Sequence, residues 1–341
     1  METKILKKEE LNIDVFKKIG KDVRNGALVI FPTETVYGIG TNAFSKNASK
    51  KIFDAKGRPS DNPLIVHVNS LKMADDCMKE DIYDYKEIIE QLWPGPITFI
   101  FNKASSIPDN VTGGKKTVGI RFPSNEISKE VIKYSKVPIA APSANISGKP
   151  SSTRIKHVID DFFGRVDYII TDGDCFFGLE STIIDLSRKT PVLLRPGPIS
   201  VEDIIKNIPD LEIPEFVFAK SKYDGPVLSP GMKYKHYSPD IKLILIDSKD
   251  VVSKMINMYE KNDIVFCSDL IYKELPDSID KISLGNSENL YDIGRNIFSF
   301  LRLDFDKEKK YKRILCQGFS QSGIGLAIMN RLRKAADIVV E

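Results

Sequence analysis

The chain reads as a mixed α/β protein of two unequal domains, the larger built on a twisted open sheet and the smaller on a Rossmann-like α/β unit. Three observations predict this. At 341 residues the chain is longer than one hydrophobic core usually serves. Strand-like apolar runs alternate with helical ones up to about Gly197, and the same alternation starts again at Lys242. Between them, residues 209–240 show little periodicity, which makes them a linker. The expected divisions are therefore 1–208, 209–240 and 241–341.

In the larger domain, residues 27–31, 64–68, 97–101, 118–122, 138–141, 168–171, 182–186 and 192–194 are short apolar runs bounded by turn residues, the pattern of buried strands. Residues 47–55, 125–135, 153–163 and 201–208 carry helical spacing. Ser124 or Asn125, and Ser152 or Thr153, stand where a side-chain oxygen can cap the free amides of a first turn. In the smaller domain, residues 242–246, 263–267 and 313–317 predict strands, and 289–303 and 325–336 predict helices.

Composition narrows the class. Hydrophobic residues make up 42% and charged residues 28%, the balance of a folded globular chain. The longest apolar runs, such as 243–246, are far too short to span a bilayer, and the charged N-terminus lacks the apolar stretch of a secretory signal, so a cytoplasmic protein is expected. Cys77, Cys175, Cys267 and Cys316 are far apart with no C-x-x-C pair, which predicts semi-buried thiols and no zinc site. A net charge of +3, from 50 basic and 47 acidic residues, gives no global nucleic-acid signal.

Two sequences resemble phosphate motifs. TGGKKT at 112–117 fails as a P-loop because it lacks the upstream glycine and Lys115 is followed by Lys116. GFSQSGIGLAIMN at 318–330 sets Gly323-x-Gly325 between a strand and a helix, but Ile328 holds the third glycine position; a nucleotide site and a tight turn with close helix packing both remain open.

The chemistry concentrates in six Gly- and Pro-rich segments: FPTETVYG at 31–38, KGRPSDNPLIVH at 56–67, WPGP at 93–96, APSANISGKPS at 141–151, GLEST at 178–182 and LRPG at 194–197. Most adjoin strand-like runs, where a scaffold can hold a polar site. Lys56 and Arg58 bracket Gly57, placing two cations on a flexible backbone that suits a triphosphate. Arg195 and Gly197 repeat that pairing. Arg121 ends an apolar run and would project its planar fork from a sheet edge, a match for a carboxylate. His67 lies in an apolar strand and by itself fits a core histidine. With three histidines and no G-x-S-x-G, a Ser-His-Asp hydrolase would have to join His67, His157 or His236 to Ser143 or Ser181. Ser143, Asn145, Ser147 and Ser151 form a hydroxyl- and amide-rich loop, which reads equally as an anion cradle or a plain turn.

FPTETVYG, KGRPSDNPLIVH, WPGPIT, VGIRFP, PIAAPSANISGKPS, GLESTIID and LRPGPIS, in this order and spacing, resemble the YrdC-type family of threonylcarbamoyl-AMP synthases. SPGMKYKHYSP at 229–239 and the terminal GIGLAIMNRLRKAAD resemble its long, two-domain members, so the likeness runs from about residue 10 to 338. It implies a YrdC-like sheet domain that condenses L-threonine, bicarbonate and ATP to threonylcarbamoyl-AMP and pyrophosphate, the product serving tRNA modification. It implies that Thr35, His67, Arg121, Ala141 and Ser181 bind threonine. ATP would be held by Lys56, Arg58, Asn62, Thr117, Ser143, Asn145, Ser151, Arg195 and Tyr234, with Lys56, Arg58 and Ser143 nearest the reaction.

Mg²⁺ would ride on the phosphates, with no protein metal ligand assigned; Glu34 and Glu180 are the nearest carboxylates. Tyr234 and His236 would belong to a linker folded over the site. The implied partners are small-molecule substrates and a downstream threonylcarbamoyl-transferase machinery, with weak or no direct tRNA binding and no membrane. A related module occurs in hydrogenase-maturation carbamoyl-transfer proteins, but those carry zinc-finger segments and this chain has no C-x-x-C. A pure RNA-binding module would need clustered basic and aromatic residues, and none is evident.

Overall fold

The computed structural model describes residues 2–220, 225, 229–230, 237–303 and 311–341. The larger unit carries a ten-stranded mixed sheet. In chain order its strands are β1 (Lys4–Lys7), β2 (Val29–Phe31), β3 (Gly38–Asn42), β4 (Ile65–His67), β5 (Ile97–Asn102), β6 (Thr117–Arg121), β7 (Ile139–Ala140), β8 (Tyr168–Thr171), β9 (Thr182–Asp185) and β10 (Val192–Arg195). Across the sheet they lie in the order β1-β8-β2-β3-β7-β4-β6-β5-β9-β10.

The register of the central strands decides where polar side chains emerge. β4 runs parallel to β6 with Ile65 beside Gly119 and His67 beside Arg121. Successive residues of a strand point to opposite faces. Val66, Phe99, Phe101, Val118, Ile120 and Ile184 enter the main core, which leaves Ile65, His67, Thr98 and Arg121 on the other face. β6 lies between β4 and β5, and Arg121 stands at its end, the strand-end position expected from the apolar run before it.

The smaller unit is a five-stranded sheet of β11 (Lys242–Ile246), β12 (Asp263–Cys267), β13 (Lys281–Ser283), β14 (Arg313–Gln317) and β15 (Ile338–Val340), ordered β13-β12-β14-β11-β15. All its pairings are parallel. Both faces are buried: Leu243, Leu245 and Phe266 pack on one side, Ile244, Ile246 and Val265 on the other. Such strands read as continuous apolar runs, and three of the five are visible in the sequence for that reason. Among the described residues no helix is long and apolar enough to cross a membrane.

Local chemistry fixes several element ends. Asn125 caps its helix by accepting from the Ser128 amide. The cap expected from Ser152 or Thr153 is not made: Arg154 occupies the N-cap of helix Ile155–Phe162, and both hydroxyls are buried without partners among the described residues. Helix Lys46–Lys56 ends at Gly57, whose φ of 61° turns the chain through the left-handed region. At the partial glycine motif, the Gly323 amide donates to the Glu202 carboxylate of the larger unit at 3.3 Å, ahead of helix Gly325–Ala335. The tight-turn reading describes this segment.

The two units share a packed boundary. Leu179 of the larger joins the core around Ile293 and Ile297, and Leu326 of the smaller joins the main core. The Arg295 Nε donates to the Phe176 carbonyl at 2.9 Å, beside Gly178. Gly178 has φ of 69°, and a Cβ there would fall 2.5 Å from the Arg295 Cα. Gly178→Ala is expected to destabilise the chain by about 2 kcal/mol or more through strain and overlap. A urea unfolding curve checks this, and an unchanged midpoint would contradict the packing.

Candidate active site

A cleft opens on the sheet face opposite the main core. It is bounded by β4 and β6, the segment after β2, the loop at 141–151, the turn at 178–182 and the end of β10. Its empty space is about 750 Å³, counting the open mouth. Among the described lining residues, Arg58, Arg121, Lys149 and Arg195 face one carboxylate, Glu180. Even with Glu34 paired to Arg121, the lining keeps an excess of positive charge.

At the sheet floor, Arg121 is 4% exposed and donates from its terminal NH2 to Glu34 Oε1 at 2.7 Å. The Arg121 Nε and Glu34 Oε2 are buried and have no hydrogen-bond partner among the described residues. The guanidinium thus keeps an unused donor beside the cleft. His67 stands next to it with Nδ1 3.2 Å from the Ile65 carbonyl and its ring edge-on to Phe31. Burial first, and then the Arg121 charge, pushes His67 down to about 3, so the imidazole is neutral at physiological pH. The turn after β2 is pinned by Thr33: its hydroxyl accepts from the amides of Thr35 and Val36 and lies 2.8 Å from the Thr35 hydroxyl. Ala141 comes in beside β4, its amide bonded to the Ile65 carbonyl.

The opposite wall is the hydroxyl-rich loop. Ser143 donates to Asn145 Oδ1 at 2.6 Å, and the Asn145 amide donates to the carbonyls of Ile146 and Lys149. Lys56 lies beneath it, 1% exposed, with Nζ 2.6 Å from the Ser143 carbonyl and also bonded to that of Asn145. Burial, then the Arg58 charge, holds this amine well below the usual lysine range. Gly57 has turned the two expected cations apart: Arg58 lines the cleft and Lys56 braces the loop from behind.

The third wall joins Ser151, Ser181, Glu180 and Arg195. Arg195 donates through Nε to the Ser181 carbonyl at 3.0 Å and through NH2 to the Ser181 hydroxyl at 3.1 Å, which also meets Thr98. Burial lowers Arg195 to about 10, leaving it charged near neutrality. Ser151 donates to Glu180 Oε1 at 2.5 Å. Burial alone would raise the Glu180 carboxyl, but Arg331, Arg195 and the Ser151 hydroxyl hold it below the usual carboxylate range.

Thr35, Arg58, His67, Arg121, Ala141, Ser143, Asn145, Ser151, Ser181 and Arg195 therefore converge on one cleft. Thr117 lines a smaller hollow next to it that shares Ile65 and Pro230. Asn62 is 2% exposed and does not line the cleft. Tyr234 and His236 lie outside the described residues. The triad reading finds no geometry, since neither Ser143 nor Ser181 bonds to a histidine among the described residues. Glu34 and Glu180, the carboxylates nearest the site, are each paired to an arginine, and no group of three or more His, Cys, Asp or Glu suited to a metal occurs among the described residues.

The family described as "Telomere recombination" matches residues 21–197, and that described as "Threonylcarbamoyl-AMP synthase, C-terminal domain" matches residues 199–337. The threonylcarbamoyl-AMP synthase of Pyrococcus abyssi is 42% identical over 326 residues, covering 92% of each chain; that of Bacillus subtilis is 39% identical, covering 92% of this chain and 90% of its own. The chain belongs to the threonylcarbamoyl-AMP synthase family. Its structure also matches that of P. abyssi Sua5 complexed with L-threonine, with a TM-score of 0.87, 38% identity and full coverage of both chains. The two-domain form of the family, expected from the sequence, is the one present.

In this family member, sequence reasoning missed Lys149, Tyr237 and Arg331. Lys149 stands in the expected GKPS segment and lines the cleft, so its signal was available. Tyr237 lines the cleft while its ring stacks on Phe298 at 5.0 Å. Arg331 stands in the GIGLAIMNRLRKAAD segment, but nothing local ties it to Glu180, 151 residues away in sequence.

The His67 shift carries a sign. Its imidazole adds no pH dependence to stability above about 6.5, and it costs stability increasingly as pH falls from about 6.5 to about 3, because the unfolded chain takes up the proton first. Imidazole ¹⁵N resonances should show His67 neutral from about pH 8 to about pH 5. A midpoint near the ordinary histidine value would contradict the buried placement.

Proposed function

We propose that this chain makes L-threonylcarbamoyl-AMP from L-threonine, bicarbonate and ATP. The observation that carries the reading is the division of cationic charge in the cleft: buried Arg121 with a spare donor at the floor, and Arg58, Lys149 and Arg195 around the loop walls. One pole suits an amino-acid carboxylate and the other a triphosphate. The names of the relatives and the threonine bound to P. abyssi Sua5 support the same reading.

In this proposal, threonine binds with its carboxylate on Arg121 and its side chain near Thr35, His67, the Ala141 backbone and Ser181. Its amine captures the carbon of bicarbonate, forming a carbamate with loss of water. A carbamate oxygen then attacks the α-phosphorus of ATP, and the bond to the pyrophosphate oxygen breaks. Arg58, Lys149 and Arg195 screen the polyphosphate, Ser143, Asn145 and Ser151 border the adenylate, and Lys56 sets the shape of that border. Thr117 and Asn62 lie at its periphery, and Tyr234 would reach it from the linker.

Both reactants are anionic, so positioning and fixed positive charge supply the catalysis, and no protein nucleophile is required. Neutral His67 beside Arg121 adds no charge that would compete for the carboxylate. Mg²⁺ enters as the counter-ion of ATP; the one carboxylate in the described lining, Glu180, is already committed to Arg331 and Ser151, so the residues present do not form a metal site of their own. Pro230 and Tyr237 line the cleft and support a linker that covers it and excludes water from the acyl-adenylate. The product would pass to a threonylcarbamoyl transferase acting on tRNA, in the cytoplasm, with little direct tRNA contact by this chain.

Pyrophosphate release from ATP should require both threonine and bicarbonate; release independent of threonine, or none with all three present, would overturn the proposal. Replacing Arg121 with Ala, together with Glu34→Gln so that no buried carboxylate is stranded, should weaken threonine binding by about 2 kcal/mol or more, roughly 30-fold. Calorimetric titration with threonine checks this. An unchanged affinity would remove Arg121 from the carboxylate site.

A further inference from the structure

Two arginines of the smaller unit cross the boundary, one onto the loop at 141–151 and the other onto Glu180, which holds Ser151 of that loop. Arg331, on helix Gly325–Ala335, is fully buried. Its Nε donates to Glu180 Oε2 at 3.1 Å and its NH1 to the Pro196 carbonyl at 2.7 Å. The other oxygen of Glu180 accepts the Ser151 hydroxyl. Arg302 follows helix Leu290–Leu301; its NH1 donates to the Pro150 carbonyl at 2.7 Å and its NH2 to Asp161 Oδ2 at 2.7 Å. That same oxygen accepts the Ile146 amide at 3.2 Å. The loop is thus held at residues 146, 150 and 151 by groups that answer to the other unit, and neither arginine lines the cleft.

Buried ion pairs are poor sources of net stability, because desolvation offsets much of the attraction. They are good sources of orientation, since a guanidinium fork fixes both the distance and the plane of its acceptors. Here one fork reaches the segment that carries Ser143, Asn145 and Ser151 directly, at Pro150, and the other reaches it through Glu180. Lys56 fixes its front end through the Ser143 and Asn145 carbonyls, and that brace belongs to the larger unit. The back end, from 146 to 151, is tied within the larger unit by the Ser147 amide to the Lys56 carbonyl at 2.9 Å and by the Asn145 side-chain amide to the Lys149 carbonyl. It takes its further anchors, at Pro150 directly and at Ile146 and Ser151 through Asp161 and Glu180, from the smaller one.

We propose that the smaller unit is a positioning device for the nucleotide loop, acting through the Arg302–Asp161 and Arg331–Glu180 pairs. This rests on the reading of the loop as the ATP border. The ATP side of the site is set from across the boundary, while the Arg121 side, built within the sheet, is not. Arg302 and Arg331 are positioning residues whose loss should appear in ATP binding; Arg302, which bonds Pro150, His157 and Asp161 and none of the threonine-side residues, should spare threonine.

The test uses full-length Arg302→Lys and Arg331→Lys, which keep the charge and lose the fork. Each is expected to raise the KM for ATP about tenfold or more, and in Arg302→Lys the KM for threonine stays within about twofold. Calorimetry with a non-hydrolysable ATP analogue should show the same loss without turnover. An ATP affinity within about twofold of wild type in both folded variants, or equal losses for ATP and threonine in Arg302→Lys, would overturn the proposal. If one variant does not fold, the other carries the test; failure of both to fold would reveal a merely structural role and overturn it as well. Wild-type turnover tests the proposed reaction and the ATP-analogue titration tests the loop, so the two readings fail separately.

Discussion

A guanidinium stays charged in any environment a protein offers, so each arginine withdrawn from water obliges the fold to bring carboxylates or carbonyls to its fork. Four such obligations organise this molecule. Arg121 is met by Glu34 from the turn after β2, Arg195 by both oxygens of Ser181, Arg331 by Glu180 and the Pro196 carbonyl, and Arg302 by Asp161 and the Pro150 carbonyl. Arg121 fixes the turn after β2, Arg195 and Arg331 the turn at 178–182, and Arg302 the loop at 141–151. The apolar side of β4, β5 and β6 packs the core, and the opposite side carries His67 and Arg121 beside a small apolar cluster around Ile65 and Ile100.

The consequence is a cleft whose field is fixed before any ligand arrives. Burial weakens solvent screening, so the positive excess acts at close range on whatever enters. Glu34 occupies one edge of Arg121 and leaves Nε unused, which keeps the guanidinium oriented without satisfying it. Glu180 does comparable work between Ser151, Arg195 and Arg331, and its ionised state is held by those neighbours against the effect of burial. Lys56 shows a different solution: a buried amine that spends its hydrogen bonds on loop carbonyls and so shapes the site without facing it.

How much of this was legible depended on what each residue packs against. Strands buried on both sides, such as β11, β12 and β14, stand out as apolar runs; β3, with sequence GIGTN, and the exposed edge strand Lys4–Lys7 do not. The pairing of His67 with Arg121 is a fact of register between strands roughly 50 residues apart, which no local pattern encodes, although each residue by itself looked out of place in an apolar run. Lys56 and Arg58 were read as one cationic pair because they are neighbours, and the left-handed Gly57 between them separates their directions. Arg302 and Arg331 were invisible for the reason that makes them informative: their carboxylates lie 141 and 151 residues away in sequence. The seven-segment resemblance supplied what spacing alone did not, namely that scattered loops meet.

The central claim is that one cleft holds two anions at two separate cationic poles. A crystal structure of the chain with L-threonine and a non-hydrolysable ATP analogue tests it most directly. The account places the threonine carboxylate within about 3 Å of the Arg121 guanidinium, and the polyphosphate against Arg58, Lys149 and Arg195 with its α-phosphorus facing the threonine amine. Threonine bound away from Arg121, or a polyphosphate lying outside the ring of Arg58, Lys149 and Arg195, would contradict it.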